Sequence, residues 1–402
     1  MKNKRVNIQN NLPRYLLPKQ YLSDIEKSPN TERQYLGQPD MIKTKTGRLI
    51  TSYPIGHGKG PLVMKISDDY GENWIEKADI PSSWIRSQET PTLYALNLGK
   101  GKERLLLITG CPGWGDKTTG WNTSYSDDNG ETWTEYTHWY SSFLDGTVNK
   151  VTVAMASLVQ LRDKDGNFIP KWMGIYHNEE FINYKTYLTF DEEGKEVWSE
   201  PIPYLSEYRE IEKSHQMCEI GMFRSPDGKR IVGLARSQSH QHLSTMIYSD
   251  DEGETFTKPV ELPGALAGER HKAFYDPISK KLLVAFREIK YDLNQDGVIT
   301  QGDWTCGDWG LWVGTYEQLM NLEDGQYVVT LEEDWTQNTY SGDTGYSGVV
   351  TLEDGTIIMD SYGHWDKAFS ETKGYSVTTD LCYIKQAKFQ LAKVEKEWGI
   401  FS

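Results

Sequence analysis

The sequence predicts an all-β protein, a propeller built from repeated units of short strands, for three reasons. A polar turn recurs three times in nearly the same letters, strand-like segments follow one another at short intervals, and helix-forming segments are scarce. The composition agrees, because the 402 residues include 14 Trp, 24 Tyr and 36 Gly while only 37 % are apolar. This balance is typical of a sheet-rich, turn-rich globular protein and excludes a helical bundle or a disordered chain.

The recurring turn has the pattern S-x-D-x-G-x-x-W, with Phe replacing Trp in one copy. It is found as "SDDYGENW" at 67–74, "SDDNGETW" at 126–133 and "SDDEGETF" at 249–256. The copies start at residues 67, 126 and 249, so the second interval is about twice the first and a hidden copy is expected between them. "TFDEEGKEVW" at 189–198 is a loosened version of it. Such periodicity indicates an array of equal supersecondary units.

Each unit contains several short strands. "LVMKIS", "WNTSYS" and "STMIYS" precede the three turns, and further strand candidates are "RLLLITG", "RIVGLAR", "KLLVAFR" and "TIIMDSY". Several strands in a unit of about 60 residues describe a propeller blade better than a sandwich, and the chain has room for six to seven units. The segment "TYEQLMNLEDG" at 315–325 is the only moderate helix candidate.

The residue types of the turn have a structural purpose. In the second copy we expect the Asp128 carboxylate to accept backbone N–H groups across its own turn. Gly130 permits a positive φ, and the ring of Trp133 folds back over the hairpin. The turn therefore clamps a blade's hairpin, and we assign no catalytic role to its Asp residues.

Charge limits the classes of partner. The net charge is −15, from 58 acidic and 43 basic residues, and the acidic residues are spread along the chain. This excludes nucleic acid as a partner, and an anionic ligand would need a local cluster of arginines. No apolar run approaches the roughly 18 residues of a membrane span, and the first residues lack an apolar signal region. As written, the protein is expected to be cytoplasmic, or secreted if a leader has been removed.

The cysteines indicate neither a metal site nor a disulfide framework. Cys111, Cys218, Cys306 and Cys382 are far apart and form no C-x-x-C pair. Buried thiols are the expected state.

The turns are of the type called Asp-box, and with their spacing they make the chain resemble the sialidase superfamily. The resemblance runs from about residue 33 to 390. It implies one six-bladed β-propeller domain of four-stranded antiparallel blades over residues 33–402, preceded by an N-terminal arm of residues 1–32. Asp-box turns also occur in non-enzymatic propellers and in other glycan-active enzymes, so they specify the fold more closely than the reaction.

Three segments resemble the active-site strands of that superfamily. "TGYSGVVTLEDGTIIMDSYG" at 344–363 places Tyr346 where sialidases have a Tyr nucleophile. "CEIGMFRSPDGKRIVGLARS" at 218–237 places Glu219 as the partner of that Tyr and Arg236 as a ligand of the substrate carboxylate. "GERHKAFYDPISKKLLVAFRE" offers Arg287 as a further carboxylate ligand, with Arg270 as its competitor. The resemblance implies an exo-acting glycoside hydrolase that cleaves a terminal acidic sugar from glycans.

The residue types suit this chemistry. The anomeric carbon of a sialic acid bears a carboxylate that would repel an Asp or Glu nucleophile, so a neutral Tyr activated by Glu attacks instead. Arginines hold the substrate carboxylate through charge-assisted, bidentate hydrogen bonds.

Two positions depart from the superfamily pattern. An arginine is expected early in the first blade, where "LGQPDMI" has Gly37 and Gln38 before Pro39. The acid/base Asp is expected in a loop that reads "PIGHGKGPLVM", which offers His57 and Lys59 instead. Because imidazole titrates near neutrality, we take His57 as the candidate acid/base.

Other polar or aromatic residues at expected strand starts or loops are candidates for binding sugar, each with an ordinary structural alternative. These are Glu89, His177, Glu179, Glu180, His271, Trp304 and Trp309. The alternatives are blade packing for the tryptophans and for Tyr346, rim salt bridges for the arginines, an exposed loop position for His57 and a satisfied core position for His177.

A separate motif, "DLNQDGVITQGD" at 292–303, has the spacing of a calcium loop. Its expected ligands are Asp292, Asn294, Asp296, the Val298 carbonyl and Asp303. Asp replaces the usual Glu at the twelfth position, so a dockerin-like loop with a structural Ca²⁺ is the sharper interpretation, and a polar hairpin tip is the alternative. No organic cofactor is expected.

Two other functions remain open at this point. The chain could be a non-catalytic glycan-binding propeller, in which case the two departures mark lost catalysis. It could also be a hydrolase or lyase of uronate-containing glycans that uses the same arginines, with His57 or His177 for proton transfer.

Overall fold

The computed structural model describes residues 12–27, 35–111, 119–239, 241–288, 307–335, 343–366 and 382–400. Within them the strands form six sheets, each of which is one blade of a propeller. The predicted six-bladed, all-β fold is therefore confirmed.

The N-terminal segment forms two short strands that join the last two blades, β1 (Arg14–Leu16) and β2 (Leu22–Glu26). The first three blades follow in chain order, each from its innermost strand outward. Blade 1 comprises β3 (Asp40–Lys43), β4 (Leu49–Pro54), β5 (Leu62–Ser67) and β6 (Ile75–Glu76). Blade 2 comprises β7 (Thr92–Gly99), β8 (Lys102–Gly110), β9 (Trp121–Ser126) and β10 (Thr137–Trp139). Blade 3 comprises β11 (Thr152–Arg162), β12 (Phe168–His177), β13 (Asn183–Phe190), β14 (Glu196–Trp198) and β15 (Ile202–Pro203).

The remaining blades have the same plan. Blade 4 comprises β16 (Met217–Arg224), β17 (Ile231–Ser237), β18 (Thr245–Ser249) and β19 (Val260–Glu261). Blade 5 comprises β20 (Gly268–Tyr275), β21 (Leu282–Glu288), β22 (Asp308–Gly314) and β23 (Tyr327–Glu332). Blade 6 comprises β24 (Val349–Thr351), β25 (Thr356–Gly363) and β26 (Tyr383–Gln390).

The N-terminal strands close the ring. Strand β2 pairs antiparallel with β26 and completes the fourth position of blade 6, while β1 adds a parallel fifth strand to β23 of blade 5. Part of the segment assigned to an arm thus belongs to the propeller sheets. The boundary at residue 32 lies outside the described residues.

Helices are few and short, as expected. In the described part of the chain they are α1 (Arg209–His215), α2 (Tyr316–Met320) and α3 (Leu391–Glu397), with 3-10 turns at Lys19–Tyr21, Ser82–Arg86, Ser206–Tyr208 and Gly264–Leu266. The second lies in the predicted segment and begins with a capping box between Thr315 and Gln318. The other two were not predicted, because seven residues are too few to show a helical period.

The recurring turns have the hydrogen bonds expected of them. Oδ1 of Asp128 accepts from the backbone N–H of Thr132 at 2.9 Å, and Ser126 Oγ accepts from the N–H of Gly130 at 2.9 Å. The turns at 67–74 and 249–256 repeat both bonds. The ring of Trp133 packs edge-on against Trp84, with centroids 5.5 Å apart. The turn is thus an anchored structural unit.

The core lies between adjacent blades, where apolar residues of facing sheets pack together. The largest cluster combines residues of blades 1, 5 and 6, including Leu49, Leu311 and Ile358, all completely buried. Cys111, Cys218 and Cys382 are buried, as predicted, and Cys306 lies outside the described residues. In the described part of the chain, no helix has the length and hydropathy needed to cross a membrane.

The pairing register of the strands determines which residues meet at one end of the central channel, here called the funnel. The first residues of each inner strand pair with the last residues of the second strand, as in Cys218 with Arg236 and Glu269 with Arg287. Strand starts and ends of successive blades therefore point chemistry-bearing side chains at one end of the central channel.

Candidate active site

Bulges at the inner strand starts aim side chains into the funnel. Glu219 and Arg270 have φ values of 47° and 54°, in the left-handed region that non-glycine residues seldom adopt. The register shifts beside both, between Cys218 and Gly221 in β16 and beside Glu269 in β20. A bulge turns a side chain away from the regular alternation of a strand, at a cost of about 1–3 kcal/mol for a strained residue. Strain at two corresponding positions of neighbouring blades makes this end of the channel the candidate functional site.

Tyr346, Glu219 and Arg236 form the centre of the site. The Tyr346 hydroxyl donates to Oε1 of Glu219 at 2.5 Å, and Nη1 of Arg236 lies 3.2 Å from both oxygens. Tyr346 and Glu219 are only 7 % and 6 % exposed. These three residues come from two distant segments of the chain, and their predicted contact is present in the structure.

The charges around this centre keep Glu219 ionised. Burial alone would raise the pKa of Glu219, but the guanidinium groups of Arg236 and Arg270 and the Tyr346 hydrogen bond outweigh it and lower the pKa to about 2. Burial and the Glu219 carboxylate raise the pKa of Tyr346 well above its usual value. The resting site therefore holds a neutral phenol against a carboxylate.

Glu269, which was not predicted from the sequence, connects Arg236 and Arg287. It is completely buried, and its carboxylate lies 3.1 Å from Nη2 of Arg236 and 2.5 Å from Nη1 of Arg287. It immediately precedes Arg270 in "GERHKAF". Its position directly before a candidate arginine at the start of β20 was the only signal that the sequence offered.

Arg287 does not have the position expected of a substrate ligand. Its Nε donates to the Thr344 carbonyl at 2.6 Å, its Nη1 to Glu269, and its Nη2 to the Tyr362 hydroxyl at 2.7 Å. Only 7 % of its side chain is exposed, and all three of its nitrogens have partners within the protein. Arg287 therefore joins residues beneath the site, here called its floor, and does not bind substrate. The second arginine of the predicted carboxylate-binding pair must be another residue.

Arg270, the competitor of Arg287, lies over the nucleophile candidate. Its guanidinium carbon is 5.2 Å from the centroid of the Tyr346 ring. Among the described residues, its buried Nη1 has no hydrogen-bond partner. Because an unpaired buried donor is costly, this atom is a cationic donor that a ligand could satisfy.

His57 belongs to a hydrogen-bonded chain that ends at a buried carboxylate. Nδ1 of His57 lies 2.7 Å from the Tyr35 hydroxyl, which donates to Oδ2 of Asp343. Burial lowers the pKa of His57, but the Asp343 carboxylate outweighs it, so the pKa is raised. Since 47 % of the side chain is exposed, the network leaves Nε2 for proton transfer. Tyr35 and Asp343 were not identified from the sequence.

Gln38 stands where an arginine was expected. Its amide oxygen accepts from the backbone N–H of Gly58 at 2.7 Å, and its Nε2 lies 3.4 Å from the Tyr362 hydroxyl. A neutral amide thus replaces a cation at this wall, which lowers the capacity of the site for anions.

Glu89 is a second acid candidate. Its Oε1 accepts from the backbone N–H and the hydroxyl of Thr90, at 2.8 and 2.9 Å. Burial, and to a smaller extent the Glu219 charge, raise its pKa despite these bonds. A raised carboxyl pKa is the property of a general acid.

Several of these groups line one cavity of about 770 Å³, whereas Arg270 and Arg287 lie outside its lining. Its lining includes Gln38, His57, Lys59, Glu89, Lys150, His177, Glu179, Phe181, Glu219, Arg236, Gln238 and Tyr346. The volume is within the range of ordinary small-molecule sites. The lining includes charged side chains of both signs beside apolar surface.

The other candidates have mixed positions. His177 lines the cavity, stacks on Phe181 with ring centroids 5.7 Å apart, and has a pKa lowered by burial. Glu179 lines the cavity and pairs with Lys150, whereas Glu180 is exposed. His271 stacks on a Phe ring and its Nε2 donates to the Leu266 carbonyl at 2.9 Å, away from the cavity lining.

Trp309 corrects an expectation. It is completely buried and its indole N–H donates to Ser347 Oγ at 2.8 Å, so it packs in the core instead of stacking on sugar at the mouth. Its apolar blade-core neighbours explain this position. Trp304 and the expected calcium ligands Asp292, Asn294, Asp296, Val298 and Asp303 lie outside the described residues.

Comparison with known proteins supports the fold. The family described as a BNR repeat-like domain matches residues 85–265, just under half of the chain. Curated proteins gave no match.

Solved structures resemble the whole propeller at low identity. A protein of unknown function from Dyadobacter fermentans is 14 % identical with a TM-score of 0.60, covering 91 % of this chain and 98 % of that chain. The intramolecular trans-sialidase from Ruminococcus gnavus is 13 % identical with a TM-score of 0.58, covering 92 % and 98 %. An α-L-arabinofuranosidase from Fusarium graminearum is 14 % identical with a TM-score of 0.60, covering 92 % and 98 %. The chain therefore has the sialidase-type propeller fold, which is shared by enzymes with different sugars in their names.

Proposed function

We propose that the protein is an exo-acting glycoside hydrolase of sialidase type, in which Tyr346 is the nucleophile and Glu219 its base. The observation that carries this proposal is the 2.5 Å hydrogen bond from the Tyr346 hydroxyl to an ionised, nearly buried Glu219 in the wall of a sugar-sized cavity. A structural Tyr in a blade core needs neither the carboxylate nor the arginine that contacts both oxygens.

The first step forms a glycosyl–tyrosine bond. The Tyr346 oxygen attacks the anomeric carbon as its proton moves to Glu219, and the glycosidic bond breaks. Because Glu219 has a low pKa and Tyr346 a high one, the proton moves during attack and not before it. The cationic Arg236 and Arg270 stabilise the negative charge that develops on the phenol oxygen.

The leaving sugar needs a proton, which we assign to Nε2 of His57. The Asp343 carboxylate raises the pKa of His57 and so favours the protonated imidazole that an acid needs, and the contact of Nδ1 with Tyr35 fixes the ring. The same imidazole then takes a proton from the water that hydrolyses the intermediate. Two displacements at the anomeric carbon give net retention of configuration.

The sugar is proposed to carry one carboxylate. The unpaired Nη1 of Arg270 and the free Nε of Arg236 provide cationic donors, and the exposed Lys59 adds a positive charge to the cavity lining. Arg270 thus takes the place in the anion clamp that Arg287 leaves by pairing internally.

A second substrate class is favoured by a specific observation. Gln38 replaces a cation and Arg287 is fully engaged, so the site has less capacity for anions than a three-arginine clamp. A terminal neutral sugar, such as an arabinofuranoside, would fit such a site. In that case Arg270 would not bind the substrate and would only stabilise the negative charge that develops on the Tyr346 oxygen.

The test is a panel of chromogenic sialosides, glucuronides and arabinofuranosides with the parent protein and Tyr346→Phe. Hydrolysis of one class that is lost in Tyr346→Phe supports the proposal. The matched control is Tyr70→Phe, since Tyr70 is an exposed tyrosine of the first repeated turn. Binding of sugars without hydrolysis of any of them would favour the glycan-binding alternative instead.

A further inference from the structure

Two histidines and a glutamate meet on the outer part of blade 4, away from the residues assigned to catalysis. His215 ends α1, His242 lies in the connection from β17 to β18, and Glu261 ends β19. Oε1 of Glu261 is 3.3 Å from Nε2 of His215 and 3.1 Å from Nδ1 of His242. The side chains are 10 %, 14 % and 40 % exposed, so the cluster is open to solvent on the Glu261 side.

The spacing of the three atoms is that of metal ligands. Each residue offers one ligand atom, and all three atoms lie within 4.8 Å of one another. Ligands at 2.0–2.1 Å from a tetrahedral zinc ion are separated by about 3.3 Å. Two of the separations already have that length, and the stacked rings, with centroids 3.9 Å apart, direct their nitrogens at the same carboxylate oxygen.

A helix carbonyl orients the first ligand. Nδ1 of His215 lies 3.1 Å from the carbonyl oxygen of Ile211, one turn earlier in α1, and donates its hydrogen to it. In the neutral ring this leaves a lone pair on Nε2, which faces the Glu261 carboxylate. Metal-bound histidines are held by such outer hydrogen bonds, and a cation between the two acceptors removes their repulsion.

The ligand types indicate the metal. Two imidazole nitrogens and one carboxylate oxygen suit Zn²⁺ and neighbouring transition metals, whereas Ca²⁺ and Mg²⁺ prefer sets made of oxygen. Three protein ligands leave a fourth position for water on the exposed side.

The cluster is joined to the rim of the sugar cavity through the backbone. Gln238, which lines the cavity, donates its N–H to the Gln216 carbonyl at 3.2 Å, and Ser239 donates to the His215 carbonyl at 3.2 Å. The Ser237 hydroxyl also donates to the His215 carbonyl, at 2.9 Å. Fixing the end of α1 therefore fixes the segment that follows Arg236.

We propose that His215, His242 and Glu261 form a zinc-type metal site that ties α1, the β17–β18 connection and β19 together and holds one rim of the cavity in place. The site is independent of the proposed glycosidase reaction, so metal binding can be tested without an activity assay.

The experiment uses the full chain, freed of metal by dialysis against a chelator and then titrated with ZnCl₂ while metal content and Tm are measured. We expect one zinc per chain and a Tm rise of about 3 °C when free zinc is a hundred times Kd. His242→Ala and Glu261→Gln should each weaken zinc binding at least about 100-fold and abolish the Tm rise. These two positions are chosen because their side chains are near the surface, whereas His215→Ala could unfold the helix end.

The control is His138→Ala, an exposed histidine of β10 that bonds to Asn122 and Ser141 instead of a carboxylate. It should bind zinc like the parent. Amide exchange of Gln238 and Ser239 should slow with zinc in the parent and not in His242→Ala.

Three outcomes would overturn the proposal. One is zinc content well below one per chain after titration, and a second is unchanged affinity in both ligand variants. The third is a calcium-induced Tm rise as large as that from zinc that also depends on His242.

Discussion

The Tyr346 hydroxyl donates to Glu219 across 2.5 Å although 127 positions separate the two residues in the chain. Glu219 starts the inner strand of blade 4, and Tyr346 precedes that of blade 6. The closed ring brings these positions to the same funnel, and the bulge at Glu219 turns its carboxylate toward the phenol. The proposed chemistry depends on this contact.

Replacement of the base should slow the reaction without unfolding the protein. Glu219→Gln keeps the shape and a hydrogen bond to Tyr346 but cannot take up the phenol proton, so we expect kcat to fall about 10²- to 10⁴-fold. The comparison is Glu207→Gln, at an exposed position of a 3-10 turn, which should retain full activity. Equal kinetics of the two variants would remove Glu219 from the mechanism.

The two arginines of blade 5 should have separable roles. Arg270→Lys retains the charge but shortens and narrows the donor, so KM for an acidic substrate should rise about 10-fold or more while Tm changes little. Arg287→Lys breaks contacts to Thr344, Glu269 and Tyr362 and should lower Tm by several degrees. Kinetics and thermal unfolding of both variants measure this split. If Arg287→Lys alone raises KM and leaves Tm unchanged, Arg287 binds the substrate and our assignment of that role to Arg270 is wrong.

Activity should fall as pH rises through the pKa of the proton donor. His57 must be protonated to act as acid, and Asp343 raises its pKa, so the basic limb of kcat/KM should lie above the usual histidine value. Glu219 stays ionised down to about pH 2, so it should add no acidic limb in the accessible range.

The same profile distinguishes His57 from Glu89. His57→Ala should lose the basic limb and most of its activity on substrates with poor leaving groups, but less on nitrophenyl glycosides, which leave without a proton. If Glu89→Gln shows this pattern and His57→Ala does not, the carboxyl group is the acid and the imidazole only positions Tyr35.

The repeated turn should be sensitive to a single methyl group. Gly130 has a φ of 83°, and a Cβ there would lie 2.5 Å from Ile50 Cδ1. Gly146 has a φ of 84° with no atom within 4 Å of such a Cβ, which makes it a matched control. Gly146→Ala should cost about 1–2 kcal/mol of unfolding free energy from the backbone alone, and Gly130→Ala about 1–3 kcal/mol more from overpacking. Denaturant unfolding of both measures the difference, and equal losses would show that the turn does not pack as described.

Much of the fold was predictable because it rests on local, repeated signals. The turns of Asp128 and its copies set the period, and alternating short strands set the class. The helices α1 and α3 were missed because their length is near two turns, and β1 and β2 because their pairing partners lie more than 300 residues away.

The site was predictable only where a segment resembled a known pattern. Tyr346, Glu219 and Arg236 were found in this way. Asp343 and Glu269 were missed because their importance comes from partners in other blades, which no local pattern shows. Trp309 was misplaced for a similar reason, since only the packing of blades 5 and 6 decides that its ring faces the core.

The most direct measurement of the central claim is to trap the glycosyl–enzyme. An activated fluorosugar of the class that the panel identifies reacts with the enzyme but is hydrolysed slowly, and peptide mass spectrometry then locates the attached sugar. The account predicts a single adduct on Tyr346 that is absent from Tyr346→Phe. An adduct on Glu219 or another residue, or full turnover by Tyr346→Phe, would contradict it.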